Sequence, residues 1–125
     1  MSVVKVKSLD HLVLKGKDQK ASLDFYVNLL GLTPERVELW QAGEVGFPSV
    51  RLNAFTIIDF FKQSQSVDLA TKNNVEHICL EVEPIDLDQL KTQLEDLKIS
   101  IVEGPGKRWG AKGIGMSLYL SLIHI

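Results

Sequence analysis

The sequence predicts an α+β fold made of two matching halves, and three observations predict it. A short pattern occurs twice: Asp10-His11-Leu12-Val13-Leu14 returns as Glu76-His77-Ile78-Cys79-Leu80, each time an acidic residue, a histidine and three apolar residues. Each copy leads into a helical pattern and then into several strand patterns, and runs of strands after each helix argue for α+β rather than alternating α/β. The chain has 125 residues, 45% hydrophobic and 24% charged, which suits one globular domain long enough to bury a core. Neither half alone is large enough to bury its own sheet, so the two must pack together.

The first half opens with a strand over residues 7–14, rich in Leu and Val, with His11 near its centre. Gly16 and Asp18 mark a turn, and Asp18 is placed to cap a helix. Leu23, Tyr26, Val27 and Leu30 fall at i, i+3, i+4 and i+7, one face of a helix over 21–30, and Gly31 stands where a helix ends in a left-handed residue. Three strands are then expected. Residues 36–40 alternate weakly. Residues 47–52 carry Pro48, which suggests an edge strand or a bulge. Residues 55–61 are strongly apolar with Asp59 in their middle, and Asn53-Ala54 reads as a tight hairpin turn. Module one therefore spans 6–62, and the polar, aperiodic stretch 63–74 is its linker to module two, 75–125.

The second half repeats the order. Residues 75–82 form a strand containing His77. Asp86 and Gln89 have capping-box spacing, and Leu87, Leu90, Leu94 and Leu97 share one helical face. A strand is expected at 99–102, then a glycine-rich, basic loop through Gly104-Pro105-Gly106 and Gly110 to Gly115 with Trp109 inside it. An apolar strand over 116–125 closes the chain.

Composition excludes several classes. The net charge of −2 with no clustered basic face argues against nucleic acid as a partner. A single cysteine, Cys79, rules out an intramolecular disulfide framework and fits a reducing compartment. The N-terminus is too short and too charged for a signal peptide. No apolar run approaches the roughly 20 residues that span a bilayer. A cytoplasmic protein without membrane contact is expected.

Leu9-Asp10-His11-Leu12-Val13-Leu14, the helix Ser22-Leu23-Asp24-Phe25-Tyr26 and the ending Leu29-Leu30-Gly31-Leu32 resemble the first module of the vicinal oxygen chelate superfamily. That superfamily includes glyoxalase I, the extradiol dioxygenases and the fosfomycin and bleomycin resistance proteins. Glu103-Gly104-Pro105 and Arg108-Trp109-Gly110-Ala111-Lys112-Gly113 resemble the second module of small glyoxalase-domain proteins. The resemblance implies two βαβββ modules forming a curved, open mixed-sheet barrel. In the metal-dependent members, inward side chains from four strands hold one divalent ion. His11 matches the first-strand ligand, Asp59 the carboxylate late in module one, and His77 the histidine opening module two. The fourth ligand is usually a glutamate reached through an Asp-Pro-Asp-Gly-Asn type turn. Here Ser117-Leu118-Tyr119-Leu120 runs straight into Ser121-Leu122-Ile123-His124-Ile125, with His124 in the glutamate's place. One serine is too short for a hairpin, so the last turn and strand are expected to be altered or missing.

Each candidate also has a duller explanation. A histidine in an apolar strand is commonly a hydrogen-bonded core or rim residue, and Asp59 can be a carboxylate satisfied by donors rather than by a cation. Cys79 reads as a small core side chain. Trp40 and Phe47 suit a pocket wall or simple packing. Arg108, Trp109 and Lys112 suit either a mobile substrate-binding loop or a solvated one. Two imidazoles and a carboxylate with open positions suit Fe, Mn, Ni, Co or Zn. The function expected is a glyoxalase- or dioxygenase-like protein whose divalent ion coordinates a small oxygen-bearing substrate. The alternative is a metal-free, drug-sequestering protein of the bleomycin-resistance kind. Either is expected to be a homodimer, with residues 116–125 at the contact, since an unpaired apolar edge invites another chain.

Overall fold

A computed structural model describes residues 2–63 and 74–120. The elements run β1 (Val6–Gly16), α1 (Gln19–Asp24), a π-helical turn (Phe25–Leu29), β2 (Thr33–Glu35), α2 (Val37–Gln41), β3 (Ser49–Arg51) and β4 (Ile57–Lys62). They continue with β5 (Val75–Val82), α3 (Leu87–Asp96), β6 (Ile101–Gly110) and β7 (Gly113–Leu120). Five strands form one mixed sheet in the order β2-β3-β4-β1-β5, and β6 pairs with β7 in a separate two-stranded sheet. β1 lies parallel to β4 and antiparallel to β5, so the two halves meet through their first strands. The class is α+β, and among the described residues no closed barrel forms. No helix there is long and apolar enough to cross a membrane.

The register sorts the side chains of the large sheet onto two faces, because successive strand residues point to opposite sides. Leu14 pairs with Phe60, and Val50 with Ile58. These four face α1, and Leu23, Val50, Ile58 and Phe60 make a buried cluster ringed by Tyr26, Val27, Leu32, Val37 and Trp40. The opposite face carries two rows. Ser49, Asp59, Val13 and His77 stand side by side across β3, β4, β1 and β5. Arg51, Ile57, His11 and Cys79 form the next row. Both histidines of the repeat and Asp59 therefore emerge on one face as a consequence of pairing alone.

Local chemistry explains the helices. The Asp18 side chain accepts the Ala21 N–H at 3.1 Å and so caps α1. Asp86 caps α3 through the N–H groups of Asp88 and Gln89, at 2.9 and 3.2 Å. Gly31, at φ +73°, ends the first helix in the left-handed region. The helix does not keep its period to that end. Leu30 N–H reaches back five residues to Phe25 at 3.3 Å, and the widened turn leaves Leu30 53% exposed while Leu23 is 6% exposed.

Four expectations need correction. Residues 36–40 are not a strand: the strand is Thr33–Glu35, and Val37 and Trp40 meet the core at helical spacing in α2. β3 is an interior strand between β2 and β4, with Pro48 just before it, where its missing N–H costs no ladder bond. The β3–β4 connection is longer than Asn53-Ala54, with Asn53 Oδ1 accepting the Phe55 N–H at 2.8 Å. The glycine-rich stretch is the β6–β7 hairpin rather than a loop, and only Ala111-Lys112 turns. Residues 121–125, and with them His124 and the end of the expected last strand, lie outside the described residues, as does most of the linker.

The π-helical turn makes a direct prediction for stability. Leu23→Ala should cost about 2–5 kcal/mol by chemical denaturation, as a buried truncation does. Leu30→Ala, on the same helical face by sequence, should stay within about 0.5 kcal/mol. Equal losses would contradict the displaced face.

Candidate functional site

The histidine-bearing face of the large sheet is covered by the β6–β7 hairpin, and between them lies a cavity of about 500 Å³. His11, Asp59 and His77 all line it, together with Arg36, Phe47, Phe61, Trp109 and Tyr119. The two imidazoles meet edge to face, with ring centroids 5.4 Å apart. His77 also packs edge-on against Tyr119 at 5.4 Å and Phe61 at 6.0 Å.

In each copy of the repeat the acidic residue serves the histidine after it. His11 Nδ1–H donates to Asp10 Oδ1 at 2.7 Å, and His77 Nδ1–H donates to Glu76. A carboxylate on Nδ1 fixes the tautomer and leaves Nε2 as the basic nitrogen. Asp10 Oδ1 also accepts the Ala111 N–H at 2.9 Å, so the same oxygen that orients His11 anchors the hairpin turn.

Asp59 is 2% exposed and accepts the Ser49 hydroxyl. Burial raises its carboxyl above the ordinary range; the Ser49 hydrogen bond opposes this, as does the electrostatic influence of His11, Arg36 and His77. Removing this carboxylate from water is costly without a cation or further donors.

The donor set suits a borderline divalent ion in kind: two imidazole nitrogens and a carboxylate on one wall. These three are not gathered as tightly as another group. Asp10, His11 and Cys79 have ligand-type atoms all within 4.8 Å of one another. Hydrogen bonding and burial already account for that group. Asp10 Oδ1 is committed to His11 and Ala111, and burial, aided by Asp10, pushes the Cys79 thiol up to about 11. The thiolate is the ligating form, and it is disfavoured here.

The remaining candidates separate. Arg108 and Trp109 line the cavity from β6, where Arg108 pairs with Glu103. Lys112 lies in the hairpin turn, bonded to Glu81 at 2.9 Å, and lines a smaller depression of about 260 Å³ beside Asp10 and Cys79. Phe47 is a cavity residue, whereas Trp40 packs on the core. Sequence reasoning missed Arg36 and gave Asp10 and Glu76 no role. The repeat itself carried the signal for the two acids, since each stands directly before a histidine. Nothing local marked Arg36.

The geometry is that of a mixed sheet whose two acid–histidine units face one cavity beneath a hairpin. The profile of the Glyoxalase/Bleomycin resistance protein/Dioxygenase superfamily matches residues 8–120, and the chain belongs to that superfamily. A glyoxalase domain-containing protein, RDO1, of Mycosarcoma maydis is 30% identical over 115 residues, covering 92% of this chain and 62% of the relative's length. The Streptomyces coelicolor methylmalonyl-CoA epimerase, solved as a single-residue variant in complex with 2-nitronate-propionyl-CoA, shares the fold. It matches at TM-score 0.54 and 18% identity over 87% of this chain and 84% of its own. A glyoxalase/dioxygenase from Nostoc punctiforme aligns over 91% of this chain and 84% of its own, with TM-score 0.40 and 24% identity.

The raised thiol is directly measurable. Because burial disfavours the thiolate, Cys79 in the native protein should react slowly with alkylating reagents at pH 8 and accelerate only toward its pKa of about 11. A reaction profile centred near 8.5, the ordinary thiol value, would contradict this burial.

Proposed function

We propose that His11, Asp59 and His77 hold a divalent transition metal ion, and that the protein is a metal-dependent enzyme of the glyoxalase or dioxygenase type. Its substrate is a small oxygen-bearing molecule. The observation that carries the proposal is the shared cavity wall of two oriented imidazoles and one desolvated carboxylate. An ion of the Fe, Mn, Ni, Co or Zn kind would supply Lewis-acid chemistry there, or oxygen chemistry in the case of iron. The chain's own residues do the rest. Asp10 and Glu76 each accept from Nδ1 and so orient the ring with Nε2 as the nitrogen free to ligate. Ser49 holds the Asp59 carboxyl by its hydroxyl. Phe47, Phe61, Trp109 and Tyr119 narrow the cavity and limit water around the reacting atoms.

Protein purified without chelator should carry close to one transition metal ion per chain by elemental analysis. His11→Ala and Asp59→Asn should each weaken binding at least tenfold. Asp10→Asn should weaken it by about 10–100-fold, through loss of His11 orientation. Affinity should fall as the pH is lowered, because metal ligands must be unprotonated to bind. Metal-free protein, or unchanged binding after His11→Ala, would defeat the proposal and leave the sequestering kind of protein as its replacement.

The same reading includes a homodimer. Among the described residues β5 is an edge strand of the large sheet, and its Ile78 and Leu80 are 57% and 48% exposed. Ile114 and Met116 on β7 are exposed as well. Sizing with light scattering should give twice the chain mass. Ile78→Lys should shift it toward monomer, and a monomer at high concentration in the parent protein would contradict the assignment.

A further inference from the structure

We infer that the cavity binds an organic anion, with its oxyanion held by Arg36 and Trp109 and its apolar body among the aromatic rings. This deepens the proposed function by naming a substrate class. It rests on the cavity being the working site, though not on a metal being bound.

The argument starts from two donors without acceptors. Arg36 Nη1 and Trp109 Nε1 are both shut off from solvent and have no hydrogen-bond partner among the described residues. Both residues line the cavity. The Arg36 guanidinium lies 4.5 Å from the Trp109 ring centroid and 5.1 Å from that of Phe47. Stacking of this kind offsets part of the charge but leaves the in-plane N–H donors unmet.

Among the cavity's other charged groups, Lys107 is exposed to solvent at the rim, and the rest have partners within the chain. Arg108 pairs with Glu103, Glu76 with His77, and Asp59 takes the Ser49 hydroxyl. Arg36 makes no ion pair among the described residues. A guanidinium cannot shed its proton to escape burial, so an acceptor of negative charge is what the position lacks. Its planar fork matches a carboxylate or a phosphate-type group. Phe47, Phe61 and Tyr119 offer apolar surface to the remainder of such a molecule, and the cavity volume suits a small ligand.

The backbone gives an independent indication. Arg36 sits at φ 60°, in the left-handed region that Gly and Asn occupy at lower cost. The main chain gains nothing from an arginine there, so the reason for it lies in the side chain.

The test uses the full chain stripped of metal, with calorimetric titration of benzoate, its neutral isostere benzamide, and inorganic phosphate. Benzoate should bind, with benzamide weaker by about tenfold or more, since the isostere lacks the negative charge and puts an NH2 donor in place of one acceptor oxygen. Phosphate should be weaker than benzoate because it lacks the apolar body. Arg36→Asn should lower benzoate affinity by about tenfold or more while leaving the melting temperature unchanged or raised, because asparagine tolerates this backbone. Trp109→Phe keeps the ring and removes the N–H, and should weaken benzoate several-fold. Equal binding of benzoate and benzamide overturns the inference, as does phosphate binding as tight as benzoate. Unchanged affinity in Arg36→Asn also overturns it. A markedly less stable Arg36→Asn protein would show the guanidinium to be a structural strut and overturn it too. Metal content, measured in parallel, tests the earlier proposal separately, since anion binding here requires no ion.

Discussion

One carboxylate oxygen, Oδ1 of Asp10, holds the site together. It accepts from His11 within its own strand and from the Ala111 N–H in the turn of the other sheet. The Ala111 carbonyl is taken from the other side by Arg51, at 2.7 Å, and Arg51 is braced in turn by both oxygens of Glu35. The peptide groups of one turn residue are thus clamped by an acid from β1 and a base from β3. Gly110 makes the approach possible, because a Cβ at that position would collide with Asp10 Oδ1. The clamp fixes the turn of the hairpin over the sheet, and the packing of Trp109 on Arg36 and of Tyr119 on His77 completes the second wall of the cavity. Hydrogen bonds to charged groups contribute about 1.5–3 kcal/mol each, so the clamp is strong enough to set geometry as well as stability.

The cavity it encloses is electrostatically incomplete. Asp59 and Arg36 both lie in it and influence each other, yet neither bonds to the other: Asp59 is held by Ser49, and Arg36 is stacked between rings. Burying an ion costs several kcal/mol, whereas a cation–π contact returns about 0.5–2 kcal/mol. Stacking therefore does not settle the arginine, and a single hydroxyl does not settle the carboxylate. The cavity thus keeps one buried acid and one partly buried base without a full partner, and this imbalance is what the proposed cation at Asp59 and the inferred anion at Arg36 would relieve.

The repeat made the fold legible because it records pairing. Two copies of acid-histidine-aliphatic become the adjacent strands β1 and β5, and the period of two then puts His11, His77 and Asp59 on one face without further information. Asp18, Gly31 and Asp86 were legible because capping is local chemistry. What stayed hidden depends on distant contacts. Gly104-Pro105-Gly106 has the composition of a loop, yet it is strand because β7 pairs with it. Arg36 follows a proline-bearing strand and precedes a short helix, and only the approach of Trp109 from the other module gives it meaning. Leu30 fits the helical face by spacing and leaves it because one turn widens. Cys79 looked like core and is half-buried beside Asp10, since its register partner is His11.

The two acid–histidine units are alike in sequence and unlike in setting, and the difference follows from the clamp. The side chains of Asp10 and His11 are 14% and 5% exposed, whereas those of Glu76 and His77 are 40% and 20% exposed. Asp10 is fixed by a second bond to the hairpin, so the His11 ring is held by hydrogen bonding in a dry setting. Glu76 makes no such second bond among the described residues, and a solvent-exposed carboxylate–imidazole contact is worth little by itself. The His77 ring is held instead by three edge contacts, to His11, Phe61 and Tyr119. Tyr119 belongs to β7, so the hairpin fixes His77 by packing just as it fixes His11 through Asp10. Both imidazoles thus take their orientation from the same hairpin, one through a carboxylate and one through a ring. The repeat supplied two equivalent histidines, and the hairpin made them unequal partners in a single site.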